Sequence, residues 1–146
     1  MTSFPEIKRE ILPGGNVRLS SGDCTFLYRR PRANVLHVEI SGHDTGQFGT
    51  STLDEIYAAI NREGIIELFV DAREAFGASV SVSEEWTRFF AQNREKLSRV
   101  HVLVGSKVVH LTVAIAQHLS RTGSLIQIYS DPEIFDNKLS ADKDGA

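Results

Sequence analysis

From residue 65 to residue 70 the chain reads Ile65-Ile66-Glu67-Leu68-Phe69-Val70, apolar at all positions but one, and Asp71 closes the run. A stretch this short and this apolar predicts a central parallel strand buried on both faces, with its carboxyl end at Asp71. Residues 73–83 hold Arg73, Glu74, Gly77 and three serines, and predict a loop leaving that end. Trp86, Phe89, Phe90 and Leu97 then fall on one side of a helix predicted over 84–97. Open α/β sheets gather their working loops in the crevice beyond the carboxyl ends of the strands. A functional surface is therefore expected here first.

Upstream, residues 1–15 contain Pro5, Pro13 and Gly14-Gly15 and predict an irregular lead-in. Residues 16–20 and 24–30 predict two extended segments joined by Ser21-Gly22-Asp23, a turn whose glycine and aspartate tolerate left-handed backbone. Phe26 and Tyr28 share one side of the second segment, and Arg29, Arg30 and Arg32 around Pro31 form a basic knot read as a solvated turn. Val35, His37 and Glu39 alternate with Leu36, Val38 and Ile40, the period of a half-buried strand over 34–41. After a loop at 42–49, a helix opens with Thr52 and Glu55 at capping-box spacing. Leu53, Ile56, Tyr57 and Ile60 follow at helical intervals, and Gly64 is placed to turn left-handed past its end.

Ser81 and Glu84 repeat the capping-box spacing before the second helix, with Ser83 a competing cap. Val100, Val102, Leu103 and Val104 predict a strand over 99–105. A third helix follows over 107–121, with Leu111, Ala114, Ile115 and Leu119 inward and Gly123 as its stop. Residues 125–129 predict a last strand. Asp131 then caps a short helix led by Pro132, and residues 140–146 predict a flexible tail. Alternating units of this kind require crossovers. The expected fold is α/β: a mixed, largely parallel β-sheet with an N-terminal antiparallel hairpin, packed by about four helices, in one domain over 16–139.

Composition removes whole classes of function. At 146 residues and 41% hydrophobic positions, the chain supports one core. A net charge of −3 leaves no electrostatic footprint for nucleic acid. A single cysteine, Cys24, excludes an internal disulfide framework. No apolar leader and no membrane-length apolar run are seen, so a cytoplasmic protein without membrane insertion is expected. The glycines at 42, 46 and 49 stand between a strand and a helix but match no phosphate-binding spacing. His37, His43, His101, His110 and His118 form no CxxC, HxxxH or HExxH pattern, and no metal is expected. Cys24, inside a strand, reads as a buried inert thiol, and there is no GxSxG elbow. No catalytic residue and no cofactor are expected.

The remaining candidates are Phe76, Ser79, Ser81, Ser83 and Trp86. One serine caps the second helix. A phosphate on another would meet free N–H groups and the positive end of the helix dipole, opposed by Glu84 and Glu85. Phe76 either closes the end of the core or anchors a partner.

The order of elements resembles the STAS fold of anti-sigma-factor antagonists. Its closest local matches are Leu68-Phe69-Val70-Asp71 as central strand and Asp131-Pro132-Glu133-Ile134-Phe135 leading the last helix. More narrowly, it is similar to the SpoIIAA-like group of small bacterial proteins related to STAS and to the CRAL-TRIO lipid-binding fold. The likeness runs over residues 17–139. It implies a non-catalytic protein-interaction or regulatory domain with a protein partner or, alternatively, a binding module for a lipid-like or other apolar small ligand. The compact Asp-Ser-Ser-Gly turn phosphorylated in the antagonists is replaced here by Ala78-Ser79-Val80-Ser81-Val82-Ser83, so no serine is matched to the phosphoacceptor.

Overall fold

The computed structural model describes residues 5–141. The apolar run lies in β5 (Ile66–Ala78), where consecutive side chains Leu68 and Phe69 are both fully buried, one in each of two separate cores. Around it lie β1 (Lys8–Ile11), β2 (Val17–Ser21), β3 (Cys24–Arg32), β4 (Val35–Asp44), β6 (Leu97–Val104) and β7 (Ile126–Tyr129). The seven strands stand in chain order in one sheet. The pairings up to β4 are antiparallel and those from β4 to β7 parallel, so the mixed α/β architecture is as expected.

The parallel half needs crossovers, and α1 (Ser51–Glu63), α2 (Val80–Gln92) and α3 (Lys107–Leu119) provide them. Strands added successively in one direction by right-handed crossovers place their helices on the same face. Accordingly Ile56 and Ile60 of α1, Phe89 and Phe90 of α2, and Val109 of α3 share one core with Leu68, Val70 and Ala72. Among the described residues only the short α4 (Pro132–Ala141) covers the opposite face, through Phe135 packed with Phe69, Leu103 and Val35. Phe135 meets Phe69 edge-on at 5.8 Å. An Arg73–Asp136 ion pair at 2.7 Å and an Arg32 guanidinium donating to the Leu139 carbonyl at 2.6 Å tie α4 down.

The elements depart from the sequence pattern in instructive places. Residues 1–15 are not wholly irregular, because Lys8–Ile11 pairs with β2. Its three consecutive charged residues suit an edge strand that must not recruit another chain. Thr52 does not cap α1. It is buried in the first turn, and Thr50 at the cap position donates to the Asp54 carboxylate instead. Gly64, at φ 86°, ends α1 as expected and donates to the Ile60 carbonyl. The basic knot is part of β3, where Arg29 pairs with Glu39. The loop expected at 42–49 starts only after β4 ends at Asp44.

The second helix begins at Val80 and stops at Gln92 rather than spanning 84–97, and Leu97 opens β6. The third ends at Leu119, and Arg121, not Gly123, takes the left-handed conformation at φ 58°. Leu111, Ile115 and Leu119, expected inward, are exposed. Of the tail, Ser140 and Ala141 belong to α4, while residues 142–146, like residues 1–4 of the lead-in, lie outside the described residues.

The turn from β6 into α3 is held against the strand beside it. A Cβ on Gly105 would lie 2.3 Å from the Arg73 carbonyl oxygen, a backbone atom with no rotamer by which to retreat. Gly105→Ala is expected to cost roughly 2–3 kcal/mol, since β5 or α3 must shift to admit the methyl group. Urea denaturation at neutral pH measures it, and a cost near zero would show that the turn is free to relax.

Candidate functional site

β5 does not end at Asp71. Its last pairing with β6 joins Ala72 to Val104, but it continues beside β4 as far as Ala78. The segment expected as a serine-bearing loop is thus divided between a strand and a helix. Ser79 is the N-cap of α2, its hydroxyl accepting from the Val82 N–H at 3.3 Å. The Ser81 hydroxyl lies 3.2 Å from that of Ser79, and Ser83 donates to the Ser79 carbonyl at 3.1 Å. All three hydroxyls are engaged at the start of α2. Between Gly42–Ala75 and His43–Gly77, β5 has one residue more than β4, and Phe76 is that residue. A bulge of this kind re-aims a side chain. The Phe76 ring is 71% exposed and does not close the core. Trp86 is half-buried, 6.1 Å from Phe89 and 5.8 Å from Phe90.

Below this segment, α2, α3 and the sheet line a cavity of about 110 Å³. Ala72, Ala75, Ala78 and Ala116 leave the space empty, while Val82, Trp86, Phe90, Val109 and Val113 make its walls apolar. The carboxyl group on its lining, Asp44, is pushed above the usual aspartate value by burial, against the opposing effect of the Gly46 N–H at 3.0 Å. The cavity brings Ser83 and Trp86 of the sequence candidates together; Phe76 and Ser81 do not line it.

The outer side of α3 is apolar as well. Val108, Leu111, Ile115 and Leu119 are 67%, 62%, 49% and 64% exposed, and their spacing of three, four and four residues aligns them in one stripe. The residues buried from this helix are the smaller Val109 and Ala116. Apolar side chains therefore face two directions. Helical periodicity alone gave the larger ones to the core, whereas close approach to β5 and β6 requires the smaller ones.

The opposite face carries a network that sequence spacing could not reveal. His101, fully buried on β6, places Nε2 2.6 Å from the Glu67 carboxylate and Nδ1 2.7 Å from the Tyr129 hydroxyl, with its ring stacked on Phe69 at 4.1 Å. Burial lowers its pKa and the Glu67 carboxylate acts in the opposite direction. The trio joins β5, β6 and β7 through one buried imidazole. His37, on the same face, is buried with no partner for Nε2 among the described residues, and its ring lies 6.4 Å from Phe135.

The depression, between β2 and β5, is open and polar, and Arg73 on its rim is bound to Asp71 and Asp136. Among the described residues no group of three His, Cys, Asp or Glu side chains could hold a metal, and no helix is long and apolar enough to cross a membrane. Cys24 is fully buried, and burial pushes its thiol up to about 12.

No family model and no curated protein matches the chain. A solved structure does. It is an uncharacterized protein of the DUF3478 family from Shewanella loihica PV-4, described as having a SpoIIAA-like fold. It aligns with a TM-score of 0.58 over 82% of this chain and 98% of that one, at 15% identity. The chain has a SpoIIAA-like fold. At that identity the likeness extends to the backbone and not to side-chain chemistry, so the function of this SpoIIAA-like domain has to be argued from its own surface.

Two expectations follow from these side chains. Trp86→Ala removes a half-buried indole from the cavity wall and is expected to cost ~2 kcal/mol, less than a fully buried Trp, in urea denaturation. His37 is neutral when folded because burial lowers its pKa, against the pull of Glu39 and Asp71. Below about pH 6.5 the unfolded ring takes up a proton first, so stability falls as pH drops through that point and is fully present above it. His37→Phe removes this share while His101 keeps its own. The variant's denaturation midpoint is expected to fall less steeply from pH 7 to pH 5, and an unchanged slope would clear His37 of the effect.

Proposed function

We propose that this SpoIIAA-like domain is a non-catalytic protein-interaction module whose docking face is the outer side of α3 beside the cavity between α3 and α2. The observation that carries this reading is the exposed stripe Val108–Leu111–Ile115–Leu119 on a helix whose buried side is made of smaller residues. Contiguous exposed apolar surface on a soluble domain marks an interaction site, and an adjacent pocket gives a partner's side chain a place to anchor. The groups that could suggest catalysis are otherwise engaged: Ser79, Ser81 and Ser83 at a helix cap, and His101 between Glu67 and Tyr129.

Leu111→Asp combined with Ile115→Asp tests it. Both positions are exposed, so unfolding stability should change by less than about 1 kcal/mol. A photo-crosslinker placed at Thr112 is expected to capture a stoichiometric partner in a lysate of the source cells, and to lose it in the double variant. Undiminished capture by the double variant, or no stoichiometric partner, would overturn the reading.

The cavity favours a second reading, an apolar small ligand. Its volume of about 110 Å³ is below the ~300 Å³ at which ordinary ligand pockets begin, and is of the order of the ~150 Å³ engineered cavity that holds benzene. A short alkyl group or one ring fits; a whole lipid chain does not. Native mass spectrometry of the purified protein is expected to show an adduct under this reading, and its loss on Ala116→Leu.

A further inference from the structure

The docking face on α3 also carries a charge bias that specifies its partner, and the inference rests on that face being the one used. Between Glu95 and Asp131 the chain contains no aspartate or glutamate, although acidic residues outnumber basic ones, 19 to 16, over the whole sequence. This acid-free stretch supplies β6, α3 and β7. On and just after α3, Lys107, His110, His118 and Arg121 are exposed, and neither Lys107 nor Arg121 forms an ion pair among the described residues. Arg9, Arg18 and Arg73, by contrast, are committed to Glu55, to Glu10, and to Asp71 and Asp136. Arg88 and Arg99 are exposed without an ion pair among the described residues, so it is the apolar stripe between Lys107 and Arg121 that distinguishes the cations of α3. Lys107 lies one turn before Leu111 and Arg121 just past Leu119, so a cation stands at each end of the apolar stripe. Thr112, one turn from both Val108 and Ile115, lines the cavity and joins it to the stripe.

We infer that α3 docks an acidic amphipathic helix of a partner protein. Aliphatic side chains of that helix, spaced at i, i+3 or i+4 and i+7, lie along Val108–Leu119, one of them enters the cavity beside Trp86, and its Asp and Glu side chains face Lys107 and Arg121. A second copy joined α3 to α3 would set the same uncompensated cations against each other. An anionic bilayer would gain only about 1 kcal/mol from each of two full charges, and the stripe has none of the aromatic residues of interfacial helices.

The test uses two synthetic, Trp-free helical peptides with the same leucine spacing, one flanked by glutamates and one by lysines. Each is titrated into the full chain with fluorescence from Trp86, its single tryptophan, as readout. The glutamate peptide is expected to bind at least about tenfold more tightly, with the margin shrinking as salt is raised. Lys107→Glu with Arg121→Glu is expected to reverse the preference, and Leu111→Asp to abolish binding of both peptides. Equal binding of the two peptides, lost in Leu111→Asp, would leave the α3 face standing and overturn the acidic partner. Binding of neither peptide would overturn the acidic partner too, while the crosslinking at Thr112 judges the face separately. Flotation with phosphatidylglycerol vesicles in preference to peptide binding, or a dimer dissolved by Leu111→Asp, would replace the helix with a lipid surface or a second copy.

Discussion

Burial of β5 on both faces is the constraint on which the rest of this structure depends. Leu68 and Phe69 are consecutive, so they must point in opposite directions, and both reach zero exposure. One side is easily covered, because three crossover helices fall on it together. Among the described residues the other side receives only α4, ten residues long, and its burial converges on Phe135. That single ring meets Phe69, Tyr129 and His37. A face covered so thinly must satisfy its polar groups locally. The pairs His101–Glu67, Arg73–Asp71 and Arg29–Glu39 all lie on it, and Nε2 of His37 is the atom left over.

The length of β5 shapes the other side. Since the strand outruns β6 and stays with β4, α2 starts high, at Ser79 and Val80, and descends across the mouth of the space between α3 and the sheet. Gly105, wedged against the Arg73 carbonyl, fixes where α3 begins. With both helix starts fixed, Ala72, Ala75 and Ala116 line what remains, and their methyl groups do not fill it. The cavity is thus a consequence of two backbone placements, and larger side chains at the alanines would close it without altering either.

Much of this could be read from the chain because it was local. The run through Val70, the Gly22-Asp23 turn, the stop at Gly64 and the Asp131 cap, whose carboxylate accepts from the Glu133 N–H at 2.9 Å, each depend on neighbours a few residues away. What was misread depended on distant partners. Arg73, Glu74 and Gly77 look like loop, and only pairing with Ser41–Asp44 makes them strand. His101 looked isolated because Glu67 and Tyr129 lie 34 and 28 residues away. Of the candidate residues, Trp86 and Ser83 line the cavity, whereas Leu111, Ile115 and Leu119 of α3, expected inward, are exposed, since periodicity identifies an apolar face but not what covers it.

That last distinction carries the functional argument. A helix apolar on two sides is ordinarily buried on both, and α3 is buried on one. Val109 and Ala116 already secure it to the sheet, so Val108, Leu111, Ile115 and Leu119 add little to the stability of the isolated domain and carry a cost in solubility. Fold stability therefore does not explain them, and polar residues at those four positions would leave the same backbone. An association does explain them. Lys107 and Arg121 at the ends of the stripe act in the same direction, because neither is ion-paired among the described residues and an acidic surface would pair both. The physical case for the α3 face is that the exposed apolar stripe and the two cations lie along one helix and the turn that follows it, where one complementary surface relieves both.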